Sequence, residues 1–156
     1  MLQGLLTVLP LLAALGSGVV AGVFFAFSSF VMPALARLPP AQGVLAMQSI
    51  NVTAVTPPFM SVFFGTAGLA VLAAVLAGDC WLLWLGSALY VFGVIGLTAV
   101  CNVPRNNALA GVAPGDGETA RHWARYVSEW TAWNHVRTAA ALGAAVSFIL
   151  ASGNIP

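Results

Sequence analysis

Apolar residues run through this chain in long blocks broken by short polar interruptions, and the blocks are of membrane-crossing length. A bilayer core of about 30 Å asks for roughly 20 apolar residues in a helix. The run from Leu2 to about Met32 meets that length and lacks a basic leader and a small-residue cleavage site. It is therefore expected to be a retained first span, about 3–32, rather than a signal peptide. Pro33, Pro39 and Pro40 should end it around Arg37. Ala41 to Val55 is too short and too mixed to cross, and its Gln48, Ser49, Asn51 and Thr53 predict a short helix lying at the membrane face. Pro57 and Pro58 suit the first turn of a second span, about 58–77, because the N–H that proline lacks has no helical partner there. Gly78-Asp79-Cys80 reads as a tight turn. A third span, about 81–101, opens with Trp81 and Trp84 as interfacial anchors, and Asn102-Val103-Pro104-Arg105-Asn106-Asn107 should close it. Gly111 to Gly117 is a polar loop. Thr119 or Asp116 would cap a last helix that starts near 119, spans about 132–152 and stops at Gly153. The pattern as a whole predicts an all-α, single-domain transmembrane four-helix bundle with a short interfacial helix between spans 1 and 2.

The last helix carries most of the polar chemistry. At 100° per residue, Trp123, Tyr126, Trp130, Asn134 and Arg137 fall within about 80° of one another and make one stripe. Ala141, Ala144, Ala145 and Phe148 continue it, whereas Leu142, Val146, Ile149 and Leu150 lie on other faces. Small residues mark where membrane helices approach closely, so the stripe is expected to face inward and the Leu/Val/Ile side to face lipid. Gly18 and Gly22 form a small-xxx-small pair in the first span, read chiefly as packing within the bundle, with a homodimer interface as the other reading.

Composition narrows the class. Of 156 residues, 60% are hydrophobic and only 6% charged, with a mean hydropathy of +0.97, which places the chain in a lipid bilayer. The length leaves no room for a separate soluble domain beside four spans. The basic residues are five arginines and the net charge is +1, too small and scattered for a nucleic-acid surface, so no nucleic-acid partner is expected. Four spans put both termini and the Asp79 turn on one side and Arg37, Arg105, Arg121 and Arg125 on the other. The positive-inside rule then sets those arginines in the cytoplasm and the termini outside. Cys80 and Cys101 would lie roughly 31 Å apart along a helix, far beyond disulfide reach, and their spacing is no thiolate metal motif.

Arg137 is the chief candidate for chemistry. It sits about one turn inside the fourth span, where a guanidinium must either snorkel to the interface or face the bundle interior. Its place beside Asn134 and Trp130 favours an inward role, binding an anionic or carbonyl oxygen. Asn134 serves that role or fastens helices together. His135 is a candidate base that the wheel turns about 100° away from Asn134. His122 and Glu129, seven residues apart, share a face with Trp133 and match no metal motif, so no metal is expected. Asn102, Asn106 and Asn107 should meet Trp130, Asn134 and Arg137. There they either cap a helix end or form a polar floor under a pocket walled by Phe27, Phe30, Phe59 or Phe63.

At these residues the chain resembles a known family, the small four-helix membrane proteins classed as anthrone oxygenase-like. The likeness rests on Asn102-x-Pro104-x-Asn106-Asn107 after the third span and on Trp130-x-x-Trp133-Asn134-x-x-Arg137 opening the fourth. The four-span layout, with a Phe-rich first helix running into Val31-Met32-Pro33, extends it over nearly the whole chain. The resemblance implies oxidation of an anthrone or similar polyketide-like aromatic by O₂ to a quinone, with neither metal nor flavin, in a multi-pass protein of a bacterial inner or plasma membrane. Under that implication Arg137 and Asn134 stabilise an oxyanion. Trp130 and the phenylalanines, Phe27 and Phe63 among them, stack on the rings, while Trp133, Asn102, Asn106 and Asn107 join the substrate site. His135, His122 and Tyr126 compete for the role of base. Two other classes stand beside this one: a non-catalytic membrane binding or scaffold module, and a redox protein holding haem or quinone. A transporter is disfavoured because the sequence shows no inverted repeat.

Overall fold

The computed structural model describes residues 2–115 and 117–153, with side chains from residue 4 onward. All regular structure among them is helical. The first span joins α1 (Leu2–Ala26), a π-helical segment π1 (Phe27–Val31) and α2 (Met32–Leu35). Next come α3 (Pro40–Thr53), α4 (Pro57–Ala77) and a composite third span of α5 (Trp81–Ala88), π2 (Leu89–Gly96), π3 (Thr98–Asn102) and α6 (Val103–Ala110). The long α7 (Thr119–Ser152) completes the bundle. Four helices, Gly4–Leu35, Pro57–Ala77, Trp81–Ala110 and Thr119–Ser152, are long and apolar enough to cross a membrane. The protein is an integral membrane four-helix bundle.

Pro33 and Pro104 sit inside continuing helices: the first span still closes near Arg37 as expected, at Leu35, whereas the third runs past its expected stop to Ala110. Each proline follows a π turn by a residue or two, and the helix continues through it. The π segments are closed by i→i+5 bonds, Met32 N–H to Phe27 O and Val103 N–H to Thr98 O. The wider turn moves back the carbonyl that a proline ring would strike in an α-helix, so the chain bends its hydrogen-bond ladder rather than breaking it.

The apolar residues form two cores. One fills the spans and includes Val20, Phe24, Phe63, Tyr90, Ala141, Ala144 and Phe148. The other caps the arginine-bearing end, where α3 lies across the first turns of α7 and packs Val44 and Met47 with Met32, Leu109, Trp123, Tyr126 and Trp130. Gly43 makes that docking possible, since a Cβ there would lie 2.6 Å from the Trp123 indole. Gln48 Nε2 fixes α3 further by donating to the carbonyls of Leu109 and Val112. At the other end Gly78, with φ of 63°, turns α4 into α5, and Trp84 Nε1 donates to its carbonyl at 2.8 Å.

The faces of α7 fall as the wheel predicts: its stripe from Trp123 to Phe148 is buried, and Leu142, Val146, Ile149 and Leu150 are each more than half exposed. The small pair in the first span departs from expectation. Gly18 and Gly22 face outward with open space before them, so they pack against nothing within this chain. Thr119 does not cap α7. It is the first residue of the helix, and its hydroxyl donates to Ala113 O at 3.1 Å, pinning the loop. Asp116, the other expected cap, lies outside the described residues. Cys80 and Cys101 are both free thiols.

Candidate functional site

A thin polar layer separates the two apolar cores, and π1 and π3 both contribute to it. From α7, Asn134 is fully buried and Arg137 is 4% exposed. Asn134 Nδ2 donates to Phe24 O and to Ser28 Oγ, each at 2.6 Å, tying α7 to the first span. Its Oδ1 accepts from Arg137 Nη2 at 2.6 Å. Arg137 Nη1 donates to Thr98 Oγ1 at 2.9 Å, and Thr98 in turn donates to Val94 O. The guanidinium carbon stands 4.1 Å from the centre of the Phe24 ring and 5.4 Å from that of Trp130. Cation–π contact thus takes the place of solvent on its faces.

Among the described residues no carboxylate joins this arrangement: Glu118 pairs with Arg121, and Glu129 bridges Arg105 and Arg125. Arg137 is the one buried arginine of the described set and has no ion-pair partner there. Its Nε and the Oδ1 of Asn102 are buried without a hydrogen bond in the protein, a donor and an acceptor both left open in the same layer. Orphaned buried polar atoms are rare in native folds and carry a desolvation cost of about 1–3 kcal/mol each.

The amides of α6 and its approach divide. Asn102 Nδ2 donates to Trp130 O at 3.3 Å. Asn106 Oδ1 accepts from both Tyr126 Oη and Trp130 Nε1 at 2.9 Å, fixing the aromatic ladder in which Trp123, Tyr126 and Trp130 stack in turn. Asn107 points to the exterior and joins none of this. Successive residues of a helix stand 100° apart, so Asn106 and Asn107 cannot both face α7.

The same geometry removes His135 from Asn134 and Arg137. It is exposed on another face, lining a shallow groove of about 360 Å³ with Met32, Pro33, Val127 and Thr131. His122 is exposed as well. Trp133 is half-buried and, among the described residues, shares no ring contact with the stripe. Among the phenylalanines, Phe30 faces outward at 61% exposure, away from the layer. Phe27 and Phe59 do line a groove of about 320 Å³, together with Val23, Ile50, Thr53 and Thr56. Phe63 is buried behind Phe59, its ring 6.0 Å away, and its carbonyl accepts from Tyr90 Oη. Phe27 links groove to layer, with its ring 5.9 Å from that of Trp130.

Three participants escape a reading of the sequence: Phe24, Ser28 and Thr98. Each carried a faint signal. Ser28 stands four residues after Phe24 and Thr98 four before Asn102, so each pair shares a helix face. Among the described residues no three His, Cys, Asp or Glu side chains gather as a metal site would require.

Comparison with known proteins adds one finding. A family profile described as anthrone oxygenase matches residues 47–147. The matched stretch begins in α3 and takes in α4, the third span and α7 as far as Ser147, so Thr98, Asn102, Asn106, Asn134 and Arg137 lie inside it. The first span, with Phe24 and Ser28, lies outside it. No curated protein and no solved structure matches the chain.

Proposed function

The chain belongs to the anthrone oxygenase family, and from that premise we propose that it oxidises an anthrone-type polycyclic phenol to the quinone with O₂ inside the membrane. The observation that carries the proposal is Arg137, a buried guanidinium with no carboxylate beside it. Burying such a cation is costly, and an anionic guest would offset the cost by supplying the missing charge.

The chemistry suits that guest. The central CH₂ of an anthrone is acidified by two flanking rings and a vinylogous ketone, so loss of one proton gives an electron-rich enolate. That anion transfers electrons to O₂ and combines with it, and the product takes up a proton to become a hydroperoxide at the former CH₂ carbon. Loss of water from the hydroperoxide leaves the second carbonyl, so CH₂ and O₂ become C=O and H₂O. Arg137 would hold the enolate oxygen through its guanidinium, with Asn134 fixing the guanidinium's orientation. The groove of Phe27 and Phe59 would take the rings, and displacement of the Phe27 ring would open the way to Trp130 and Arg137. His135, turned to another face, is out of reach of a substrate held there, and Tyr126, whose phenol donates to Asn106 Oδ1, lies in the same stripe.

The test is to add emodin anthrone to the purified protein and follow quinone absorbance and oxygen uptake together. Wild-type protein should exceed the spontaneous rate. Arg137→Ala should fall to background, and Arg137→Lys, which keeps the charge without the planar fork, should recover part of the rate. Wild-type turnover no faster than background would overturn the proposal.

A second reading rests on a different observation: none of the three principal cavities is lined by Arg137, Asn134 or Trp130. On that reading the layer fastens the first, third and fourth spans in a non-catalytic module. Thermal stabilisation by flat phenols separates the two, since a fastener alone should show none.

A further inference from the structure

A cavity of about 410 Å³ lies in the cleft where α6 and the first turns of α7 diverge, with Tyr126 at its inner wall and without Arg137 or Asn134 in its lining. Its polar wall carries Arg105, Arg125 and His122, and its apolar wall Pro104, Ala108 and Leu109. Glu129 sits between the two arginines and is used up by them. Its Oε2 accepts from Arg105 Nε and its Oε1 from Arg125 Nε, at 3.0 and 2.7 Å. One carboxylate thus holds two guanidiniums side by side and leaves a surplus of positive charge. Arg105 is further committed, through Nη1 to Cys101 O at 2.7 Å. Arg125 is bound only through Nε, and among the described residues its two terminal nitrogens have no partner. The cleft is preformed, because Gln48 ties the carbonyls of Leu109 and Val112 at its end to α3.

Two guanidiniums clamped together beside an apolar wall, at the arginine-bearing end of a membrane bundle, match a ligand with an anionic head and a hydrocarbon tail. We infer that this cleft binds an anionic phospholipid, its phosphate between Arg105 and Arg125 and the start of an acyl chain along Pro104, Ala108 and Leu109. Interfacial arginines attract acidic headgroups, each contributing the equivalent of about a fivefold gain in affinity. The paired site adds directed hydrogen bonds to the phosphate oxygens. A free phosphate would meet the same guanidiniums, so the distinction lies in the tail.

The full chain, purified in neutral detergent, is titrated with dioleoylphosphatidylglycerol, with dioleoylphosphatidylcholine and with inorganic phosphate, and binding is read by native mass spectrometry and by thermal midpoint. Phosphatidylglycerol should bind and raise the midpoint, phosphatidylcholine should bind at least tenfold more weakly, and inorganic phosphate should leave the midpoint unmoved. Arg125→Gln, at an exposed position that the fold does not need, should weaken phosphatidylglycerol about tenfold. Arg121→Gln, which touches the same membrane end but not the cleft, should not. Equal binding of the two lipids would overturn the inference, as would equal loss in both variants. Protection by inorganic phosphate equal to that by phosphatidylglycerol would assign the cleft to free phosphate, and displacement of the lipid by emodin anthrone would assign it to the aromatic substrate; either result refutes the lipid site.

Discussion

A guanidinium held between a phenyl and an indole ring, with amide and hydroxyl oxygens for partners and no carboxylate, is an arrangement that stability alone does not favour. Replacing buried ionic groups with well-packed apolar ones is often neutral or stabilising by about 1–4 kcal/mol. Arg137→Met removes a buried cation that has no counter-ion but leaves Asn134 Oδ1 without its donor, at a cost of about 1 kcal/mol, so the thermal midpoint is expected to hold or rise. Asn134 behaves oppositely. It donates to Phe24 O and Ser28 Oγ and accepts from Arg137, so Asn134→Ala takes one partner from each of three buried groups and should cost about 2–4 kcal/mol in a denaturant or thermal unfolding series. His135→Ala should change anthrone turnover by less than about twofold, because the imidazole faces a separate groove; a loss of a hundredfold would restore it as the base. The wheel made Arg137 and Asn134 legible because they share a face with Trp130. It was silent on Phe24, Ser28 and Thr98, whose role depends on which helices become neighbours, and a single helix's periodicity carries no record of that.

Among the elements, α7 was the most legible, since a run of aromatic and small residues along one face and of Leu, Val and Ile along the others tells inside from lipid directly. The composite spans were least legible. A proline near further prolines or among amides reads as a stop, and only the π turn ahead of Pro33 or Pro104 makes it a continuation. Those turns matter to the site because they carry Ser28, Thr98 and Asn102, the residues that meet α7. The docking of α3 offers a sharper check. Gly43→Ala places a methyl 2.6 Å from the Trp123 indole, and α3 has little room to yield while Gln48 holds the loop after α6. Overpacking of this kind costs about 1–3 kcal/mol. A lowered midpoint together with a shifted tryptophan emission is the expected outcome, and an unchanged spectrum would show that α3 is looser than its packing implies.

At the scale of the whole molecule, the chain is a membrane bundle with a polar stratum between a span core and an end core, and four of its five arginines gather at the end-core side. Arg37, Arg105, Arg121 and Arg125 there, against Asp79 at the opposite turn, predict that the end bearing α3 faces the cytoplasm. Single cysteines placed at Asp79 and at Arg121 in a background without Cys80 and Cys101 would report it: an impermeant maleimide added to intact cells should label the first and spare the second. The four-helix architecture was readable from hydropathy alone, because blocks of about 20 apolar residues have few other uses. The cleft between α6 and α7 was not, since it exists only because the third span runs on past Pro104. The most direct test of the central claim sets stability and turnover side by side in one variant. Arg137→Met is purified with the wild type, and each is measured for thermal midpoint and for emodin anthrone oxidation above background. The account predicts an unchanged or higher midpoint with turnover reduced about 10²- to 10³-fold, the loss of one preorganised charge at a developing oxyanion. A lower midpoint with turnover intact would make Arg137 a structural fastener and contradict it.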